Sequence, residues 1–305
     1  MTEVTTKALR TPEDRFMNLP GYPFAAHYLS NLPGYADLRM HYLDETSEKS
    51  DSADLFLCLH GQPTWSYLYR KMIPLFAKHG RVVAPDLYGF GKSDKPVDDD
   101  TYTFDFHRGS LLRFVEKLDL KNITLVCQDW GGVLGLTLAV DMPERFTRLV
   151  IMNTGFGTGD VPLGEGFLQW RAYNNSQPDM NIPALMGRAT PTLTEQERNA
   201  YGAPYPDIKF KAGVRRFPNL VPDHPEAGGA EISRKARDWW RTQWQGKSFM
   251  AIGMKDPVLG PPVMHAVHRL IKNCPPPLEI PEAGHFVQEW GHIVAQAAIA
   301  SFSKS

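Results

Sequence analysis

Short apolar runs alternate with amphipathic stretches along most of this chain. Leu55–Leu59, Arg81–Ala84, Ile123–Cys127, Leu149–Asn153, Phe249–Gly253 and Leu278–Ile280 are brief and largely apolar, the pattern of strands buried on both faces. Tyr67–Lys78, Phe104–Leu118, Gly132–Val140, Pro262–Lys272 and Ile293–Phe302 lie between or after them and are predicted as helices. Strands and helices in alternation predict an α/β fold, a mostly parallel central sheet flanked by helices. Ahead of it, Phe24–Leu29 and Leu38–Leu43 flank a turn containing Gly34 and read as an antiparallel pair. The alternation stops between about Phe156 and Asp238, where Pro162, Pro178, Pro183, Pro191, Pro204, Pro206, Pro218, Pro222 and Pro225 break the chain repeatedly. A structureless loop of that length is uncommon in a compact domain, so the segment is read as an inserted helical lid. The division expected is a core of residues 1–156 and 233–305 and a helical cap of residues 157–232.

Composition changes this picture little. The chain has 305 residues, 42% hydrophobic and 22% charged, ordinary for a globular protein. A net charge of -1 gives no electrostatic reason to expect nucleic acid or an anionic membrane as partner. Cys58, Cys127 and Cys274 are far apart and odd in number, which argues a reduced, cytoplasmic protein without disulfides or zinc spacing. Met1–Lys7 lacks the apolar stretch of a signal peptide, and no run approaches the roughly 20 apolar residues that span a bilayer.

The chemistry is concentrated around Asp129. Val126-Cys127-Gln128-Asp129-Trp130-Gly131-Gly132 joins a predicted strand to a predicted helix through small neighbours, the setting of a nucleophile elbow, with a carboxylate in place of the usual serine. A carboxylate has no proton to lose and can attack an sp3 carbon directly. Three further elements follow strand ends, where sites of open parallel sheets form. His60-Gly61-Gln62-Pro63 can aim the backbone N–H of Gln62 at the elbow and, with the N–H of Trp130, form an oxyanion hole. Asp256 follows one late strand and His285, in Gly284-His285-Phe286, follows the next, giving the chain order nucleophile, acid, histidine. Asp86 and Asp94 are rival acids but precede the elbow and fit turns better. Trp130 and Trp170 form a pair, one beside the nucleophile and one in the lid; Phe167, Phe217 and Val133 are candidate pocket-lining residues. His60 and His107 read as structural. Gly89-Phe90-Gly91-Lys92-Ser93 is not a phosphate loop, because Asp86 stands where its first glycine is required.

These motifs together resemble the haloalkane dehalogenases of the α/β-hydrolase superfamily. The likeness runs from His60-Gly61-Gln62-Pro63-Thr64-Trp65-Ser66-Tyr67 through Gly89-Phe90-Gly91-Lys92-Ser93-Asp94 and the elbow to Ala283-Gly284-His285-Phe286. It is nearest to the subgroup with its acid after the penultimate strand and a two-tryptophan halide site, and Asn153 fits that subgroup. Gln62 departs from it, standing where that subgroup commonly has Glu and another has Asn. The resemblance implies attack by Asp129 on the halogen-bearing carbon, an alkyl–enzyme ester, and hydrolysis by water activated by His285 and Asp256. It implies halide binding by the indole N–H groups of Trp130 and Trp170. A small halogenated alkane, water and halide are the expected partners, with no cofactor, no metal and a monomeric protein.

Two other functions compete. An epoxide hydrolase shares the Asp-Trp-Gly-Gly elbow and uses lid tyrosines, and Tyr173, Tyr201 and Tyr205 are available; Trp170 and the non-aromatic Gln62 favour the dehalogenase. A fluoroacetate-type enzyme would want arginines where Gly131, Gly132 and Val133 stand. A non-catalytic binding protein on the same fold would have lost a triad member, and none is missing. No G-x-S-x-G sequence supports a serine esterase.

Overall fold

A computed structural model describes residues 6–35, 38–47 and 53–303; Met1–Thr5, part of the segment read above for a signal peptide, lie outside the described residues. Eight strands form one sheet: β1 (His27–Leu29), β2 (Met40–Glu45), β3 (Leu55–Leu59), β4 (Arg81–Pro85), β5 (Ile123–Cys127), β6 (Phe146–Met152), β7 (Lys247–Gly253) and β8 (Leu278–Ile280). Their spatial order is β8-β7-β6-β5-β3-β4-β2-β1. Strands β3 to β8 pair in parallel, whereas β2 runs antiparallel to β1 and β4. Strands β3 and β5 are buried along their whole length, as continuous apolar runs in a sheet covered on both faces require. Ala8–Leu9 and Lys95–Pro96 add a small antiparallel ribbon beside the sheet, which the sequence pattern gave no sign of.

The helices are α1 (Ile73–Phe76), α2 (Phe104–Lys117), α3 (Trp130–Asp141), α4 (Glu165–Ser176), α5 (Ile182–Ala189), α6 (Glu195–Gly202), α7 (Ala212–Arg216), α8 (Ala230–Thr242), α9 (Pro261–Leu270) and α10 (Gly291–Ser303). Helix α2 starts where Thr103 Oγ1 accepts the N–H of Phe106, and α6 starts in a capping box between Thr194 and Glu197. The expected helix Tyr67–Lys78 is not continuous. A 3₁₀ turn at Ser66–Tyr69 precedes the four-residue α1, because Pro74 has no N–H and is tolerated only in the first turn of a helix. Helix α3 carries apolar residues on every side, since it is buried between the sheet and α8; the Trp240 indole of α8 donates to the Leu136 carbonyl at 2.8 Å. Helices α4 to α7 lie in the proline-rich segment between β6 and β8's neighbour β7.

Strand register decides where the chemistry falls. Leu59 is level with Cys127, Met152 with Ala251, and Gly253 with Ile280. The residues that follow β3, β5, β6, β7 and β8 therefore emerge together along one edge of the sheet.

Candidate active site

Asp129 ends the turn between β5 and α3 with φ 50° and ψ −130°, a backbone conformation that costs of order 1–3 kcal/mol in a non-glycine residue. The turn closes so tightly that a Cβ at Gly131 would collide with the Leu59 carbonyl, and one at Gly61 would collide with the Asp129 carboxyl. The Thr154 hydroxyl donates to the Asp129 carbonyl at 2.7 Å, and the Asp129 N–H donates to the Asn153 carbonyl at 2.9 Å. These bonds hold the strained turn.

The Gln62 N–H donates to Asp129 Oδ1 at 2.8 Å. Trp130 is the first residue of α3, so its N–H has no partner within the helix. His285 Nε2 lies 3.6 Å from Asp129 Oδ2, and His285 Nδ1 lies 2.8 Å from Asp256 Oδ2. Asp256 is further held by the Asn153 side-chain amide at 2.9 Å and the Val258 N–H at 2.8 Å. Asn153 also exchanges hydrogen bonds with the Gly253 carbonyl and N–H, tying the end of β6 to the end of β7. The rival acids are engaged elsewhere: Asp86 with His41 and the Ser66 N–H, Asp94 with Arg10 and the Arg39 N–H.

Charge follows this geometry. Burial by itself would lower the His285 pKa, but the Asp256 charge, with hydrogen bonding to Asp129 and Asp256, raises it to about 10. Burial would raise Asp256, but the charge and hydrogen bond of His285 outweigh it and hold the carboxyl below its ordinary range.

Trp130 is 4% exposed and packs edge-on against Phe217 at 4.9 Å, which also meets Phe90 at 4.7 Å. Among the described residues no protein group accepts a hydrogen bond from the Trp130 or Trp170 indole. Trp170 sits on α4, one turn before Asn174, and residues four apart share a helix face. Asn174 is within 3.4 Å of the Gln62 side-chain amide, so that face looks toward the oxyanion turn. Val133 is half-buried on α3; Phe167 is half-buried on α4, with the Arg171 guanidinium 5.7 Å above its ring.

Two features were not foreseen. The Gln128 amide nitrogen lies 2.9 Å from His285 Nε2 and donates to the His285 carbonyl at 3.0 Å, so the residue before the nucleophile also steadies the histidine loop. Its place inside the elbow was the available signal. Gln62 turns its amide on the Val214 carbonyl at 3.0 Å and on Asn174 Oδ1. A Glu there would set a carboxylate against two acceptors, which accounts locally for the amide.

Two of the three tyrosines considered for an epoxide have their O–H committed. The Tyr201 hydroxyl donates to Glu289, the Tyr205 hydroxyl to the Pro63 carbonyl at 3.2 Å, and the Tyr173 hydroxyl accepts from Arg188 at 2.6 Å. No pair of them is free to protonate an epoxide oxygen.

A family model described as alpha/beta hydrolase fold matches residues 54–292. A haloalkane dehalogenase of Psychrobacter cryohalolentis is 43% identical over 297 residues, covering 93% of this chain and 93% of its own length. The chain belongs to the haloalkane dehalogenase family. A second relative, the haloalkane dehalogenase of Mycolicibacterium paratuberculosis, is 42% identical over 92% of this chain and 93% of its own length. The tetrameric structure of a haloalkane dehalogenase from Paraglaciecola agarilytica superposes with a TM-score of 0.95 at 50% identity, covering 98% of this chain and all of that one. The enzyme is accordingly a hydrolase acting on carbon–halogen bonds, with a haloalkane as substrate and halide among its products. Among the described residues no helix is long and apolar enough to cross a membrane.

Proposed function

We propose that Asp129 is the nucleophile, His285 the base and Asp256 its orienting acid in the hydrolysis of small halogenated alkanes. One observation carries the assignment: a single carboxyl group has Oδ1 on the Gln62 N–H at 2.8 Å and Oδ2 facing His285 at 3.6 Å. In the first step Asp129 Oδ2 attacks the halogen-bearing carbon, the carbon–halogen bond breaks, and halide leaves with its electron pair. The Trp130 and Trp170 indoles, donors without an acceptor, receive the halide. In the second step water attacks the Asp129 carboxyl carbon, its proton passes to His285 Nε2, and charge collects on Oδ1 opposite the Gln62 and Trp130 N–H groups. The ester then collapses: the alcohol oxygen takes the proton held by His285, the second water proton leaves the new carboxyl group for solvent, and the carboxylate is restored. Asp256 holds the imidazole and stabilises its charged form. Residues 157–232 act as a cap over the carboxyl ends of the strands, with Phe167, Phe217 and Val133 lining the pocket. Every group named comes from one chain, so a monomer suffices for chemistry. The buried thiols of Cys58 and Cys127 suit a reducing cytoplasm.

The two steps differ in pH dependence. The first needs no base, and the second needs neutral His285. Esterification removes the Asp129 charge, one of the causes that raise His285 to about 10, so its pKa falls when the ester forms. Near pH 5, below the ordinary imidazole value of about 6.5, His285 stays charged and hydrolysis stalls while alkylation continues. Rapid-quench assays with 1,2-dibromoethane are expected to give a burst of bromide at pH 5 that shrinks toward pH 8–9, conditions chosen to span that value. A burst amplitude independent of pH contradicts His285 as the base.

The halide assignment predicts that Trp170→Phe weakens bromide binding about tenfold or more, since a hydrogen bond to a charged group contributes about 1.5–3 kcal/mol. Quenching of tryptophan fluorescence by bromide measures it, and an unchanged affinity would move the second donor elsewhere.

A further inference from the structure

We propose that His60 is a positioning residue of the oxyanion hole, a role that rests on the Asp129 ester described above. His60 is fully buried at the end of β3. Its Nε2 accepts the Leu87 N–H at 2.9 Å, from the loop after β4. An imidazole nitrogen that accepts in this way leaves the proton on the other, so Nδ1 donates to the Gly61 carbonyl at 2.8 Å. That carbonyl belongs to the same peptide plane as the Gln62 N–H. In a trans peptide the two point in opposite directions. Holding the oxygen back into the protein therefore turns the hydrogen out toward Asp129 Oδ1. The Thr64 N–H and hydroxyl reach the same oxygen at 3.0 and 2.9 Å, but both move with the turn itself. The His60 side chain is the donor that reaches this oxygen from outside the turn, from the end of β3 fixed within the sheet.

This role has a kinetic signature that a merely structural one lacks. During alkylation charge leaves the Asp129 carboxylate, so a donor at Oδ1 gains nothing. During ester hydrolysis a full charge appears on Oδ1, and the donor's worth rises. A tilted Gln62 peptide slows the second step selectively. Complete removal of such a donor costs about 10²–10³ in rate; displacement is expected to cost about tenfold.

Two substitutions divide the two bonds. His60→Asn puts an amide nitrogen where Nδ1 was, keeping the donor to Gly61 and losing the Leu87 bond. His60→Gln puts its amide group where Nε2 was, keeping an acceptor for Leu87 and losing the Gly61 donor. Rapid-quench measurement with 1,2-dibromoethane is expected to show alkylation in His60→Gln within about twofold of wild type, hydrolysis slowed about tenfold, and a bromide burst. His60→Asn is expected to hydrolyse its ester within about threefold of wild type. Unslowed hydrolysis in folded His60→Gln overturns the proposal, as does equal loss of both steps. If His60→Gln does not fold, His60→Ala, which likewise lacks the Gly61 donor, is compared with His60→Asn: hydrolysis slowed selectively in His60→Ala and not in His60→Asn supports the proposal, and equal hydrolysis in the two overturns it. Absence of any alkyl-enzyme in the wild-type protein would instead remove the ester reading on which this one depends.

Discussion

Asp129→Ala is expected to lower kcat/KM for 1,2-dibromoethane by at least about 10⁵-fold, a loss of about 7 kcal/mol of transition-state stabilisation. The size follows from what is removed. No other described carboxylate stands at the elbow: Asp256 is committed to His285 and Asn153, and Asp86 and Asp94 are tied into the loops around β4. Water replacing the side chain would have to displace halide directly, with the base 3.6 Å from where Oδ2 stood and no covalent path. The variant should fold. The bonds that shape the turn use the backbone of residue 129, through Thr154 and Asn153, and survive the substitution. A melting temperature near the wild type's with activity above about 1% would show that another group carries the first step.

Much of this arrangement was readable from the chain. Strands β3, β5 and β8 lie at the residues their apolar runs indicate; β3 and β5 are continuously apolar because they are buried on both faces, whereas β8, at the edge of the sheet, exposes Glu279. The order of Asp129, Asp256 and His285 after the ends of β5, β7 and β8 anticipates three side chains at one edge of the sheet, and there His285 lies 3.6 Å from Asp129 and 2.8 Å from Asp256. What escaped the reading was set by contacts between residues far apart in the chain. Gln128 meets His285 across 157 positions, and Gln62 meets Val214 across 152. No local periodicity encodes such pairs. The bond between His60 and the Leu87 N–H is of the same kind, so a histidine that reads as structural turns out to face the oxyanion turn. In the segment between β6 and β7, frequent prolines announce helix starts and breaks but not which face of α4 carries Trp170 inward.

His285→Gln is expected to separate the two half-reactions. Alkylation needs the carboxylate and no base, whereas hydrolysis loses a general base that contributes about 10²–10⁴-fold, together with the stabilisation that Asp256 gives its charged form. The variant should release one equivalent of bromide per site and then slow by about 10³-fold or more. Its intact mass should rise by one bromoethyl group, and digestion should place that group on the peptide holding Gln128, Asp129 and Trp130. Glutamine retains a polar side chain beside Asp256, so the fold is expected to persist. Steady turnover without a burst would mean that His285 is dispensable for water activation.

The same logic fixes the fate of the water oxygen. If water attacks the enzyme's own carboxyl carbon, the first turnover delivers its oxygen to Asp129, and the alcohol leaves with an oxygen that was Asp129's. A single turnover of excess wild-type enzyme with 1,2-dibromoethane in ¹⁸O-water is therefore the most direct measurement. Unlabelled alcohol and one ¹⁸O in the Asp129 peptide are expected. Labelled alcohol with an unlabelled peptide would mean that water displaces halide itself, and would contradict the covalent pathway.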